Sequence, residues 1–488
     1  MQIIKKLAGQ TAIYGLSSML GRFVNFLLVI PHTAKLSSVG AYGDITAIFA
    51  MVAFLNIVLT YGLETSYFNF IRNGNNANKV FATLQKSIMA STAVFSLLVL
   101  IFLSQSAVFL GFEGRSDYVW CCLIFLVFDT VSALPYARLR HEERPLKFAS
   151  IKLINIGVNV GLNLLFLMAP PVFLQGYTQV TLVLIANAVA SIVSFLMLLP
   201  IVLKINITFD WILYKQVLKY TWPLVFIGLA GIVNETLDRT LLIRLLPAGE
   251  GSYQNGIYGA FYKLTMVMTM FVQAYKFAAE PFFFKQKDNQ DSRVVYAEVM
   301  FWFVAVCSLI FLVCMMFIEP LAHLFIKNKA YFDDLDGLFI VPVLLLANLF
   351  LGIYYNLSIW YKLSNNTKIG ALVSIIAALI TIVSNVYFIP IYGFLACAFI
   401  TLIVYFLMCI AAYILGNRYF KIPYQPIKYL ALIAISFALY LMSSYVEGQI
   451  SVIFWQICIK IIIVSFLVLI IWMLKPKTKN NKFANQSN

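Results

Sequence analysis

The chain has 488 residues, of which 62% are hydrophobic and 11% charged, and a formal net charge of +15. Soluble chains carry about a quarter charged residues, and no water-soluble core could hide this much apolar surface, so the composition excludes a soluble domain and indicates an integral membrane protein. The positive excess is dispersed over short segments between apolar runs, whereas a nucleic-acid footprint gathers on one face; nucleic acid is excluded as a partner.

Runs long enough to cross a hydrocarbon core, about twenty residues each, recur along the chain. The first is expected over 11–33; its start, "MQIIKKLAGQTAIYGLSSMLGRF", is positive but shows no clean cleavage site, so it reads as a helix and not as a removed signal. Further spans are expected at 43–69, 81–111, 117–137, 149–169 and 178–203, then at 220–246, 255–284, 295–318, 338–361, 366–389, 391–416, 428–446 and 451–474, fourteen in all. Prolines such as Pro31, Pro135, Pro200, Pro223 and Pro390 are expected near helix ends, where a helix loses least.

The loops support this count. With the amino terminus in the cytoplasm and strict alternation, 24 Lys and Arg fall in inside segments and 4 in outside loops. Such a bias follows the positive-inside rule and places both termini in the cytoplasm. The external loops are short, the longest covering about 319–337, "EPLAHLFIKNKAYFDDLDG". None could hold the folded region that a membrane glycosyltransferase or ligase uses, no P-loop is present, and no cofactor or catalytic residue is expected. The seven cysteines (Cys121, Cys122, Cys307, Cys314, Cys397, Cys409, Cys458) lie in apolar runs without metal-ligand spacing and read as reduced fillers.

An internal repeat crosses the chain. At a constant shift of 216, Gly40, Tyr42 and Gly43 align with Gly256, Tyr258 and Gly259, Glu64 with Glu280, and Phe68 with Phe284. Asn163 and Asn385 share a shift of 222. Six helices per repeat give parallel halves related by an axis along the membrane normal. The expected fold class is therefore an all-α integral membrane protein with two six-helix lobes, residues 1–210 and 211–420. Helices 13 and 14 (421–474) and a basic cytoplasmic tail (475–488) follow.

Charges within spans default to function. Helix 1 carries Arg22, helix 2 Glu64, helix 4 Asp129, helix 7 Glu235, Asp238 and Arg239, helix 8 Lys263, Lys276 and Glu280, and helix 14 Lys460. Eight of these ten lie on helices 1, 2, 7 and 8, which the repeat makes equivalent, and so suggest one polar cavity. Counting along the helices puts Arg22, Arg239 and Lys263 in the outer half, the acids Glu64, Asp129 and Glu280 near inner ends, and Lys276 between. A plainer reading stands beside this one: Glu235 with Arg239, and Lys276 with Glu280, are spaced i,i+4 and could merely neutralise each other. Glu64 and Glu280 could also snorkel to the inner surface. Aromatics such as "YYNLSIWY" fit an interface belt more readily than a sugar platform.

At these residues the chain resembles the bacterial polysaccharide (O-antigen type) flippases of the multidrug/oligosaccharidyl-lipid/polysaccharide exporter superfamily. The resemblance rests on "YGLETSYFNF", "LPYARLRHEERPLKFA", "NETLDRTLL", "QAYKFAAEPFFFK" and "GIYYNLSIWYKLSNNTKIGA", and extends over 1–474. It implies alternating access, a polyprenyl-pyrophosphate-linked oligosaccharide as substrate, the bacterial inner membrane as location, and polysaccharide polymerase or other assembly proteins as partners beside the membrane lipids. On this reading the cationic cavity of Arg22, Arg239, Lys263 and Lys276 receives the pyrophosphate, for which arginine offers a planar fork. The ion-coupling candidates are Glu64, Asp129, Glu235, Asp238 and Glu280. Related drug exporters place an acid in the first lobe; helix 1 here carries Arg22 instead, while Glu64 and Asp129 keep that alternative open. A lipid II-type flippase and a non-transporting scaffold for polysaccharide assembly are the remaining alternatives.

Overall fold

The computed structural model describes residues 19–204, 208–286, 292–333, 336–364, 366–449 and 452–476. Among these residues every long element is a helix and no strand occurs. Twelve helical stretches among the described residues are long and apolar enough to cross a membrane. Each matches one expected span. Two of the fourteen are not among them. The first span lies partly outside the described residues, which begin within it and form α1 (residues 19–27) and α2 (Val29–Lys35). The eighth is broken at Thr265 into α11 (Glu250–Leu264) and α12 (Met266–Gln286). Its Lys263, Lys276 and Glu280 make it too polar to qualify by hydropathy.

Helix 2 is also broken. It comprises α3 (Val39–Thr60) and α4 (Leu63–Arg72), joined through Tyr61 and Gly62, both left-handed at φ 31 and 71°. Glycine suits this turn twice over: it adopts positive φ without penalty, and a Cβ here would crowd Leu224 at 3.3 Å. Helix 3 is α5 (Ala77–Ile101) followed by the short α6 (Leu103–Phe109), and helices 4 to 6 are α7 (Ser116–His141), α8 (Pro145–Met168) and α9 (Gln179–Leu203). Pro200 and Pro390 fall in the last turns of their helices, as expected, whereas Pro135 and Pro223 lie well inside theirs. Pro223 does so because helix 7, α10, starts at Trp211 and not near 220, and runs 35 residues to Leu245. The added segment "WILYKQVLK" mixes lysines with apolar residues, which hid it from a hydropathy reading.

The start of α10 is fastened electrostatically. Asp210 accepts the backbone N–H groups of Ile212 and Leu213, each at 2.9 Å, as an N-cap does. Its second oxygen meets Lys79 at 2.6 Å. Lys79 first, and then the capping N–H groups, hold the Asp210 carboxyl below the usual carboxylate range. A depressed pKa stabilises the fold above the unfolded value and stops doing so as pH falls through the lowered one. Acidification below the carboxylate range should therefore loosen this junction. Asp210→Asn should remove that step from amide-exchange profiles of residues 211–220; an unchanged acid step would show that another group governs it.

The remaining elements are α13 (Ser292–Met316), α14 (Ile318–Phe325), α15 (Asp336–Leu357), α16 (Ile359–Leu363), α17 (Thr367–Tyr392), α18 (Phe394–Tyr419), α19 (Pro426–Glu447) and α20 (Ile453–Leu474). Chain contacts divide the molecule into two compact units. One comprises Met1–Lys263, His323–Ile340 and Ser374–Thr401; the other comprises Leu264–Ala322, Val341–Val373 and Leu402–Asn488. In the first unit a core of Leu63, Tyr67, Val80, Leu84, Leu134 and Leu198 knits helices 2 to 6 together. In the second, Phe283, Tyr296, Ile359 and Ile422 form a smaller core. Many large apolar side chains face outward, Leu97, Ile101, Ile461 and Ile462 among them, as a lipid-facing surface requires. Lys460, in contrast, is buried: its Nζ donates to the Met316 carbonyl at 2.6 Å, at the last residue of α13. A cation there meets the negative end of the helix dipole, and the carbonyl gains a partner it lacks within the helix.

Candidate functional site

The two glycine-tyrosine-glycine motifs of the repeat meet in the first unit. A Cβ on Gly43 would collide with the Ser252 carbonyl, and one on Gly256 with the Val39 carbonyl. Gly259 faces Thr46 of α3, whose Cγ2 would be 2.8 Å from an added Cβ. Contacts advance together along both helices, so α3 and α11 run in the same direction, backbone against backbone. Two cross-helix hydrogen bonds fasten the crossing: Asn255 Nδ2 donates to the Gly43 carbonyl at 2.7 Å, and Ser252 Oγ to Asp44 at 2.6 Å. Only glycine permits this approach.

The crossing presents its tyrosines to the charged turn of α10. Tyr258 is fully buried and its hydroxyl donates to Asp238 Oδ2 at 2.6 Å. Asp238 Oδ1 accepts the Arg239 N–H at 2.8 Å and lies 3.7 Å from the Arg239 guanidinium. That guanidinium covers the Tyr262 ring at 4.4 Å and the edge of reach of Tyr258 at 5.6 Å, both cation–π distances. It is mostly enclosed, with 12% of its side-chain surface exposed. The i,i+4 ion pair that the spacing allowed does not form: Arg239 Nη1 bonds the Glu235 main-chain carbonyl at 3.0 Å, and the Glu235 side chain lies on an exposed position. The physical reason is angular. Asp238 sits on the buried side of α10 facing α11, where Tyr258 holds it.

Next to this group lies an amide and hydroxyl network that sequence reasoning largely missed. Thr381 Oγ1 donates to Asn234 Oδ1 at 2.7 Å, and Asn385 Nδ2 donates to the Thr381 carbonyl at 2.8 Å. Asn385 Oδ1 is buried without a donor. In the other repeat, His32 Nε2 lies 3.1 Å from Asn163 Oδ1, and Asn163 also bonds Asn159. The Asn163–Asn385 alignment was the one available signal for these two networks. His32 and Thr381 carry no motif and gave none, and Asn234, though it opens "NETLDRTLL", stood behind the charges of that stretch.

The other expected site residues are spread more widely. Lys263 of α11 acts electrostatically on both Arg239 and His32, so it belongs to the same neighbourhood. Arg22 stands exposed on α1. Glu64 of α4 forms an ion pair with Arg140 of α7 at 2.6 Å and is half exposed. Asp129 of α7 is bonded by Ser191 of α9 and feels Lys152 of α8, whose ammonium covers the Tyr136 ring at 4.1 Å. Lys276 belongs to the second unit, where its Nζ lies 4.2 Å from the Tyr355 ring centre. The Glu280 side chain lies outside the described residues, and with it the expected Lys276–Glu280 pair. No group of three potential metal ligands occurs among the described residues.

The sequence model of a known family, described as polysaccharide biosynthesis protein, matches residues 7–287, more than half of the chain. The chain belongs to the polysaccharide biosynthesis protein family. No curated protein matches it. Solved structures share its fold. The lipid II flippase MurJ in an inward closed conformation superposes with a TM-score of 0.74 at 14% identity, over 94% of this chain and 98% of that one. An inward-facing multidrug resistance MATE family transporter of the MOP superfamily gives 0.60 at 12% identity, over 86% and 95%. A MOP superfamily transporter from Pyrococcus furiosus, noted for reversed polarity of its binding pocket, gives 0.57 at 13% identity, over 87% and 96%. At these identities the likeness establishes the fold, which is that of a flippase or transporter with many membrane-spanning helices.

Proposed function

We propose that this member of the polysaccharide biosynthesis family is a flippase. It moves a polyprenyl-pyrophosphate-linked oligosaccharide, such as an O-antigen, capsule or exopolysaccharide repeat unit, across the bacterial cytoplasmic membrane. The observation that carries the reading is the setting of Arg239. Its guanidinium is nearly enclosed, yet it is neutralised by a single carboxylate at 3.7 Å and has Lys263 as a neighbour. Among the described residues, two cations against one buried acid leave this cluster short of negative charge. A pyrophosphate would supply that charge through charge-assisted hydrogen bonds. Tyr258 keeps Asp238 in place, and Tyr262 supports the guanidinium plane. In this scheme Arg239 is the anchor, Lys263 and Arg22 extend the cationic lining, and two lobes, 1–210 and 211–420, alternate access around it.

Ion coupling is assigned to the acids. Asp238 is engaged with Tyr258 and Arg239, which suits a positioning residue. Glu64 is paired with Arg140 of another helix, so its protonation would release a cation as well as an acid, and Asp129 lies within electrostatic reach of Lys152. Glu235 and Glu280 complete the candidates.

Deleting the gene should leave undecaprenyl-linked repeat units on the cytoplasmic side and deplete surface polysaccharide. Purified protein in proteoliposomes should move the same lipid-linked units to the opposite leaflet. Normal polysaccharide with raised drug sensitivity in the deletion would instead establish a cation-coupled drug exporter, the reading that the fold likeness to MATE transporters favours.

A further inference from the structure

His32, on α2, is a buried titratable group in the first unit to which the transport scheme above gives no part. Its ring has one hydrogen-bond partner among the described residues, Asn163 of α8, whose Oδ1 lies 3.1 Å from Nε2. The tautomer follows from the amides behind it. Asn163 Nδ2 donates to the Asn159 main-chain carbonyl at 2.8 Å and to Asn159 Oδ1 at 2.9 Å. A main-chain carbonyl only accepts, so the Asn163 nitrogen is fixed on that side and its oxygen faces His32. Asn159 Nδ2 in turn donates to Asn25 Oδ1 at 3.3 Å. Nε2 therefore carries the hydrogen, and Nδ1 is the basic atom of the ring.

The surroundings offer no countercharge for a proton on Nδ1. The facing part of α8 brings the amides of Asn159 and Asn163, and α3 brings Tyr42, whose ring centre is 6.1 Å away. The segment after α14 is tied to α2 by the Lys327 main-chain N–H, which donates to Thr33 Oγ1 at 3.2 Å. It brings Lys327, whose Nζ bonds the His323 carbonyl, and Tyr331, 6.4 Å from the Tyr42 ring. Lys35, on α2 itself, is exposed. Lys263 of α11 acts electrostatically on His32, and among the described residues no carboxylate does. A protonated His32 would thus be one cation beside another. Lys263 also acts on Arg239, and Tyr42 feels Arg239 in its turn. An anion held by Arg239 and Lys263 would supply the charge that a proton on His32 lacks, so the two would stabilise each other.

We propose that His32 Nδ1 is a proton-binding site linked to the anion site: a pyrophosphate that binds at Arg239 and Lys263 takes up a proton on His32. Nδ1 gains the proton from solvent, and the Nε2–H bond to Asn163 stays in place, so the ring loses no partner. Linkage is reciprocal. Acidification tightens anion binding by the same factor by which the anion raises the ring's proton affinity. The linked anion rests on the flippase reading of Arg239; the tautomer and the action of Lys263 on the ring do not.

The test is nitrogen NMR on full-length, histidine-labelled protein in nanodiscs of neutral lipid. The chain has three histidines, and His141→Gln with His323→Gln leaves His32 alone. At alkaline pH the spectrum should show Nε2 protonated and Nδ1 bare, and acidification should protonate Nδ1. Lys263→Gln removes the neighbouring charge and should move that midpoint to higher pH by about half a unit or more. Saturating inorganic pyrophosphate should move it the same way, and Arg239→Ala should cancel the pyrophosphate effect. A half-unit shift corresponds to about a threefold gain in pyrophosphate affinity on acidification. Calorimetry reads that gain against His32→Gln at each pH, which corrects for protonation of the anion itself. The opposite tautomer, or a midpoint indifferent to Lys263→Gln, would show a histidine that only packs α2 on α8 and would overturn the proposal. Pyrophosphate that binds through Arg239 without moving the midpoint would overturn it too and leave the flippase reading standing. If calorimetry detects no pyrophosphate binding, both fall. A pyrophosphate-dependent shift in a protein that moves no lipid-linked sugar would sink the flippase reading and keep the proton site.

Discussion

Arg239→Ala is expected to abolish most transport of a lipid-linked pyrophosphate substrate while the protein still reaches the membrane. A hydrogen bond to a charged group contributes about 1.5–3 kcal/mol, so loss of one anchor should weaken substrate affinity on the order of tenfold to a hundredfold. Arg239→Lys separates charge from shape. It keeps the cation but loses the planar fork and the stacking on Tyr262, and should retain an intermediate activity. Arg239→Ala also leaves the buried Asp238 with the Tyr258 hydroxyl and the residue-239 main-chain N–H but no cation, and a buried carboxylate without a countercharge is destabilising. The double variant Arg239→Ala with Asp238→Asn removes that complication. If the double variant is stable and transports at the wild-type rate, Arg239 is a structural ion-pair member and not the anchor. Glu235→Gln, at an exposed position and giving Arg239 only its main-chain carbonyl, should leave folding unchanged.

Bulk at the α3–α11 crossing should be as damaging by a different route. Gly256→Val would drive a side chain into the Val39 carbonyl, a backbone atom that no rotamer change can move aside. Overpacking of this kind costs about 1–3 kcal/mol or more, and here it acts on one arrangement of two helices. The protein should insert normally but be unable to hold the close crossing. A cysteine pair measures this directly. An added Cβ on Gly40 would lie 3.5 Å from the Ser252 Cβ, within the range a disulfide spans. Gly40→Cys with Ser252→Cys should cross-link on oxidation, stop transport, and recover with reductant. Adding Gly256→Val should abolish the cross-link. Full transport in the oxidised, cross-linked protein would mean that the crossing is a fixed structural contact that never opens.

Much of this protein is readable without coordinates. Run length and the Lys/Arg distribution locate the spans, because a bilayer imposes a length and a charge asymmetry that act on each segment alone. The glycine-tyrosine-glycine repeat is legible for a similar reason: a position that cannot carry a Cβ leaves a mark in composition at that position. The clustering of charge on helices 7 and 8 is legible too, since an ionisable residue in an apolar run is costly wherever it points.

Side-chain partners are a different matter. Spacing offered Glu235 to Arg239, one turn away on the same helix. The buried acid is Asp238, because a tyrosine on another helix holds it and Glu235 lies on the exposed side. Likewise "YYNLSIWY" reads as an interface belt, yet its Tyr355, near the end of α15, lies against Lys276 of α12 and lines a small pocket with it. Periodicity specifies a face of one helix, and a site needs the faces of two. By itself, then, the sequence determined the membrane class, the apolar segments long enough to cross, and the glycines that must lie against a neighbour. Only the tertiary structure decided which neighbour that is, which carboxylate serves Arg239, and that Lys276 belongs to a separate pocket. Those choices depend on helix rotation and on contacts more than two hundred residues apart in the chain, as between Gly43 and Asn255.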